Sequence, residues 1–320
     1  MQNRCILDGL LRFFLNRGYS TLGAVSVKAM ETAIYICMAG TSIAFMYFFA
    51  RLKTGETPVN SGTVILHQIP RDLFTTLSGS PPCLKLETFL RMTKIRHQNI
   101  YSVKTSKKGK YPWIEFNQKE IADSNFCIRF LQKEFHVDVG SHLKPAEKAI
   151  GHSIRTMLEE NTYWALTYTC WLSDYGKEYR ERALGRLFQP LKYLVLYRTQ
   201  KKFKNMLWSH GMGRHTEQEI YEIAEKDLVA VSEILGPKKF LFGDKPCLAD
   251  ASLFAFIVGS AWEHPKSPFV EFIKSKAQNL QEHALRMKEM YYPDWDEMRA
   301  EKAKSCLPYL ISGFSGAVHY

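Results

Sequence analysis

Apolar and polar positions change period several times along this chain. Thr63-Val-Ile-Leu-His-Gln-Ile69 is rich in β-branched and apolar residues and predicts a buried first strand. Pro81 and Pro82 punctuate a helix start, and Leu84, Leu86, Phe89, Leu90 and Met92 supply its apolar residues. Ile95 to Val103 suits a second strand and Pro112-Trp-Ile-Glu-Phe116 a third. Asn117-Gln118 ends that strand, a return starts at Ile121, and Asp123-Ser124 opens a second helix. A βαβ-ββα order over 63–140 follows, and its βαβ opening demands a right-handed crossover.

From Pro145 the period becomes helical. Ala146 to about Trp171 predicts one long helix with an aromatic stripe of Tyr163, Trp164, Tyr168 and Trp171. Core packing explains such a stripe better than a cofactor box. Arg182 to His210 predicts another helix, interrupted near Pro190. Thr216-Glu-Gln-Glu219 is a capping box: Thr216 can accept from a free backbone amide while Glu219 reaches back, opening a helix through Leu235. Lys239-Phe-Leu-Phe-Gly-Asp-Lys-Pro-Cys-Leu-Ala-Asp-Ala-Ser252 leads through a turn into a buried helix. Asp250 falls in its first turn, where a carboxylate binds free amides, a structural role and not a catalytic one. An all-α domain over 145–295 results, with 296–320 left as a tail.

The first sixty residues are of another kind. Ala33 to Ala50 carries no charge and is bounded by Glu31 and Arg51. Eighteen helical residues span roughly 27 Å, enough for a hydrocarbon core. A buried core helix would show a polar face, so one transmembrane helix over 33–50 is the expectation. Before it, 1–32 is amphipathic, with Arg4, Arg12 and Arg17 against Asp8. Such an opening reads either as a mitochondrial presequence, with Arg17-Gly-Tyr-Ser20 like a processing site, or as an interfacial helix. Lys53 to Gly62 is a polar, turn-rich linker within 51–62.

Charge adds little. The net charge of +11 suits an acidic membrane surface or nucleic acid, but a solvated basic surface explains it and no nucleic-acid motif accompanies it. Lys104 to Lys110 reads as a charged loop between strands, and Arg198 to Lys204 as the polar face of a helix. Seven cysteines show no CxxC spacing, and their odd number argues against a complete disulfide framework. No metal is expected, because His and Cys never cluster at ligand spacing. A reducing compartment is the expectation, with a cytosol-facing C-terminal domain; a mitochondrial location is the alternative.

These elements resemble a glutathione-transferase fold: a thioredoxin-like βαβ-ββα domain followed by an all-α domain. More closely, the chain resembles the failed-axon-connections family, a membrane-linked branch of the glutathione-transferase and metaxin-like group near the nematode cadmium-responsive proteins. Pro82-Cys-Leu-Lys-Leu-Glu-Thr-Phe-Leu-Arg-Met92, Gly109-Lys-Tyr-Pro-Trp-Ile-Glu-Phe-Asn117 and His210 to Tyr221 carry the resemblance. Tyr292-Pro-Asp-Trp295 fits the same pattern. The likeness covers roughly 63–295.

The resemblance implies a glutathione pocket. Ser80, in Ser80-Pro-Pro-Cys83, takes the place of the group that stabilises the glutathione thiolate; its alternative role is an N-cap. Cys83 is either a thiol activated by the helix N-terminus or a buried thiol facing the sheet. Tyr111-Pro112 matches the family's cis-proline step, whose preceding residue pairs with the cysteinyl part of glutathione. Asp123-Ser124 matches the acidic-Ser pair that grips the γ-glutamyl end. Cys247 stands where the family normally has Ser or Thr. Three functions are then implied: a membrane-tethered adaptor in axonal development, a glutathione-dependent transferase or cadmium and xenobiotic detoxification protein, and a metaxin-like mitochondrial membrane component. Unknown protein partners and a homodimer through the thioredoxin-like half belong to the same expectation.

Overall fold

The computed structural model describes residues 62–69, 76–102, 104–184 and 189–301. The expected amphipathic segment, membrane span and all but the last linker residue lie outside the described residues. Among the described residues no helix is long and apolar enough to cross a membrane.

The first half is a four-stranded sheet ordered β2-β1-β3-β4. Strand β1 (Val64–Gln68) pairs in parallel with β2 (His97–Tyr101), and α1 (Pro81–Met92) crosses between them. β3 (Trp113–Phe116) runs antiparallel to β1, and β4 (Lys119–Ala122) antiparallel to β3. The return strand therefore starts two residues before the expected Ile121. Asn117 and Gln118 both take positive φ, which makes the tight reversal between β3 and β4. Helix α2 (Ser124–Glu134) closes this half.

The second half is helical: α3 (Pro145–Thr156), α4 (Tyr163–Trp171), α5 (Lys177–Leu184), α6 (Gln189–His210), α7 (Glu217–Leu235), α8 (Leu248–Ile257), α9 (Pro268–Lys276), α10 (Gln278–Tyr291) and α11 (Trp295–Glu301). Two expected helices differ in detail. The long helix from Ala146 to Trp171 is continuous but widens into a π-helical turn at Met157–Thr162. The helix expected across Pro190 is two helices, since α5 ends at Leu184 and Pro190 stands in the first turn of α6. There its missing amide interrupts no intrahelical bond. α11 occupies the first residues of the expected tail, with Trp295 and Met298 buried in the helical core.

Two hydrophobic cores meet at α1. Leu86, Phe89 and Leu90 pack with Val64, Leu66, Ile114 and Ile128 under the sheet, while Leu84 joins the helical core. Every residue from Cys83 to Leu90 is buried, polar ones included. Their polar atoms are matched: Gln68 donates to Glu87 at 2.8 Å, and the Thr88 hydroxyl meets the Tyr292 hydroxyl at 2.9 Å. Arg91 forks onto Asp294 at 2.7 and 3.0 Å and lies over the Tyr292 ring. The Tyr292-Pro-Asp-Trp295 segment thus fastens the helical half to α1.

Candidate functional site

A cavity of about 370 Å³ opens between the N-terminal ends of α1 and α2 on one side and the helical half on the other. Its two walls differ chemically. Ser80, Lys85, Tyr111, Asp123, Ser124 and Asn125 form a polar wall from the α/β half. Leu158, Tyr163, Trp164, Phe203, Met206 and Phe256 form an apolar wall from the helices. Such a space fits a ligand with a polar, hydrogen-bonding part and an apolar part.

Sequence chemistry explains the polar wall. Pro81 and Pro82 remove two amides from the first turn of α1, so Cys83 N is left to bond the Ser80 carbonyl at 3.0 Å. Ser80 sits at the N-cap in an extended conformation, yet its side chain caps no amide. Gly259 holds this turn in place: a Cβ there would come within 3.0 Å of the Pro81 ring. Ser80 lines the cavity without a capping duty, and its hydroxyl meets the buried Cys83 thiol. Cys83 does not line the cavity; it is fully buried, and burial pushes its thiol up to about 11.

Tyr111-Pro112 is cis. Asp123 N donates to the Pro112 carbonyl at 3.3 Å, which joins the loop before β3 to the start of α2. Asp123 has a positive φ of 83°, tolerated by Asp because its short side chain bonds locally. Here its carboxylate accepts from Asn125 N at 2.9 Å. The structure thus brings Ser80, Tyr111, Asp123 and Ser124 to one wall. Thr216 and Glu219 cap α7 as expected, with Thr216 N donating to Glu219 at 2.8 Å, away from the cavity. Asp250 is fully buried and accepts from Leu241 N, Cys247 N and His283 at 2.9, 2.8 and 2.8 Å, also outside the cavity.

Sequence reasoning missed the floor. Lys85 is 1% exposed, and its ammonium meets Glu159 at 2.8 Å and Asn125 at 3.0 Å. Glu159 also accepts from Asn125 Nδ2 and the Ser252 hydroxyl, each at 2.8 Å. Burial opposes the Glu159 charge, but Lys85, Asn125 and Ser252 outweigh it and hold the carboxyl below its ordinary range. Burial also lowers the Lys85 ammonium, partly offset by Glu159. Glu159 lies in the π-helical turn, where the wider backbone redirects side chains, a feature frequent at functional sites. One signal was present: Phe89 and Met92 stand four and seven residues on from Lys85, so its face of the helix is apolar.

The apolar wall extends an expectation. Tyr163 and Trp164, read as core packing, are half-buried and face the cavity. Trp164 stacks on His210 at 4.6 Å, and Trp171 on Phe203 at 4.8 Å. Trp164, Tyr168 and Trp171 all pack against the helical core, and Trp164 with Tyr163 also lines the cavity.

These features define a glutathione-transferase fold, and comparison with known proteins agrees. A family model described as the glutathione S-transferase N-terminal domain matches residues 81–176, and one described as the C-terminal domain matches 224–287. The β-etherase LigF from Sphingobium superposes with a TM-score of 0.52 at 15% identity, covering 74% of this chain and 99% of its own. A glutathione transferase from Phanerochaete chrysosporium gives 0.50 at 13% identity, with 73% and 99% covered. Both likenesses concern the fold.

The chain is a homologue of failed axon connections and is related to the metaxins. Failed axon connections of Drosophila melanogaster is 33% identical over 264 residues, 78% of this chain and 62% of that protein. An isoprene-epoxide–glutathione S-transferase from Rhodococcus is 25% identical over 61% of the chain and 90% of its own length. A metaxin-2 homolog from Caenorhabditis elegans is 29% identical over 54% and 76%.

Proposed function

We propose that this chain is a membrane-anchored protein whose folded domain binds glutathione in the two-walled cavity and serves as an adaptor in axonal or neuronal development. One observation carries the ligand: Asp123-Ser124 and the cis Tyr111-Pro112 step stand on the same polar wall, at the N-terminus of α2. A helix N-terminus favours the γ-glutamyl carboxylate, and the Asp123 carboxylate suits its ammonium. The adaptor role draws on the likeness to failed axon connections. The membrane tether draws on the uncharged run from Ala33 to Ala50, with the folded domain facing the cytosol.

A second reading has its own support. Ser80 lines the cavity and caps no amide, and its hydroxyl, which meets the Cys83 thiol, can turn to donate to a bound thiolate. In a glutathione-dependent transferase that bond lowers the thiol pKa and raises the nucleophile fraction. The apolar wall would take the electrophile, and an epoxide is the first to try, given the Rhodococcus relative.

Glutathione titrated into the purified protein, read by ultraviolet thiolate absorbance across pH, separates the two. Binding with an unshifted thiol pKa and no epoxide turnover fits the adaptor. A lowered pKa that returns toward the free value in Ser80→Ala, with turnover, makes the protein a transferase.

A further inference from the structure

The outer face of α6 is largely exposed, with Arg214 lying over the Trp208 ring at its C-terminal end. Tyr193, Tyr197, Lys201, Lys204 and Trp208 follow one another at steps of four, four, three and four residues, so they share one face. The stripe runs roughly 22 Å along the helix. Tyr193, Tyr197 and Trp208 are 65%, 63% and 58% exposed, an unusual degree for rings of this size. Other faces of the same helix are occupied: Val195 packs on Ala183 and Leu184, Leu207 enters the helical core, and Phe203 and Met206 line the cavity.

Charge on this helix has a single sign. Its 22 residues include no Asp or Glu. Lys192 is taken by Glu181, but Arg198, Lys201, Lys202 and Lys204 are exposed and have no acidic partner among the described residues. Exposed tyrosine and tryptophan rings with a polar edge, interleaved with unpaired cations, match the interface of a bilayer with anionic headgroups. The rings sit at headgroup depth, and the cations meet lipid phosphate and carboxylate.

We propose that the outer stripe of α6 docks on an anionic membrane surface. The occupant is the lipid headgroup layer, chosen by the pairing of amphipathic rings with unneutralised positive charge. Docking would lay α6 flat on the bilayer with its cavity-facing side turned inward, a contact additional to any spanning segment.

Full-length protein with vesicles of neutral phosphatidylcholine, or of phosphatidylcholine with phosphatidylserine, tests this by hydroxyl-radical footprinting. On the anionic vesicles, modification of Tyr193, Tyr197 and Trp208 should fall several-fold, while exposed Phe126 and Met290 stay unchanged. The protection should fade with added salt and vanish in Lys201→Glu/Lys204→Glu, a variant whose thermal melt confirms folding. Equal modification on neutral and anionic vesicles overturns docking even if the protein floats with both, which would be the work of the N-terminal segment alone. Protection by a single-stranded oligonucleotide but not by anionic vesicles overturns it as well.

Discussion

Lys85 of the thioredoxin-like half and Glu159 of the helical half meet at 2.8 Å beneath the cavity, the lysine fully buried and the glutamate partly so. Their ion pair, bridged by Asn125 and backed by Ser252 on the Glu159 side, ties the two halves at the point where a ligand would rest. Removing Glu159 leaves the Lys85 charge buried beside neutral Asn125, while removing Lys85 leaves Glu159 its bonds to Asn125 and Ser252. Glu159→Leu alone should cost about 3–5 kcal/mol in urea unfolding and Lys85→Met less, whereas the double variant should recover much of the larger loss. Additive losses in the double variant would show that the two charges do not depend on each other.

Two buried histidines give the fold an acid limit. Burial holds His264, whose Nε2 lies 3.1 Å from Cys170 Sγ, at about 4, and burial with nearby Lys104 does the same to His67. Both values lie below the ordinary 6.5, so between the two the unfolded chain binds more protons. Their contribution is complete above about pH 6.5 and is lost as pH falls toward 4. His264 alone should account for up to roughly 3 kcal/mol of that loss, and the less enclosed His67 for less. Urea midpoints measured from pH 7.5 to 4.5 should decline more gently in His264→Gln than in the wild type.

At α8 the buried Asp250 carboxylate serves Leu241 N, Cys247 N and His283. Asp250→Ala would leave all three donors unmatched and should cost at least about 3 kcal/mol. Cys247→Ser places a stronger acceptor at the N-cap and should raise stability by about 0.5–1 kcal/mol. A loss in Cys247→Ser would mean that packing of the buried sulfur outweighs its role at the cap.

Four thiols among the described residues, Cys83, Cys127, Cys170 and Cys247, are buried and unpaired. With its thiol near 11, Cys83 should react with iodoacetamide far more slowly in the native protein than in urea. Fast native labelling of Cys83, located by mass spectrometry, would restore it as a nucleophile.

Local chemistry made much of this legible from sequence alone. The β-branched run before Ile69, the Pro81-Pro82 helix start and the Thr216 box each announce an element through bonds made within a few residues. Tyr111-Pro112 and Asp123-Ser124 were legible through the likeness to glutathione transferases, because each acts at its own turn and so leaves a short motif. The floor of the cavity was not. Lys85, Glu159 and Ser252 belong to three separate helical segments, and only tertiary packing brings them together. The cavity-facing side of Tyr163 and Trp164 was not legible because helical period reports which face is apolar, and a cavity wall is as apolar as a core.

Calorimetry of glutathione with the purified protein, beside the Asp123→Ala/Ser124→Ala variant, tests the central claim most directly. Micromolar to low-millimolar binding that the variant loses while remaining folded is the predicted result. No binding by a folded wild-type protein, or equal binding by both, would contradict the assignment of that wall to glutathione.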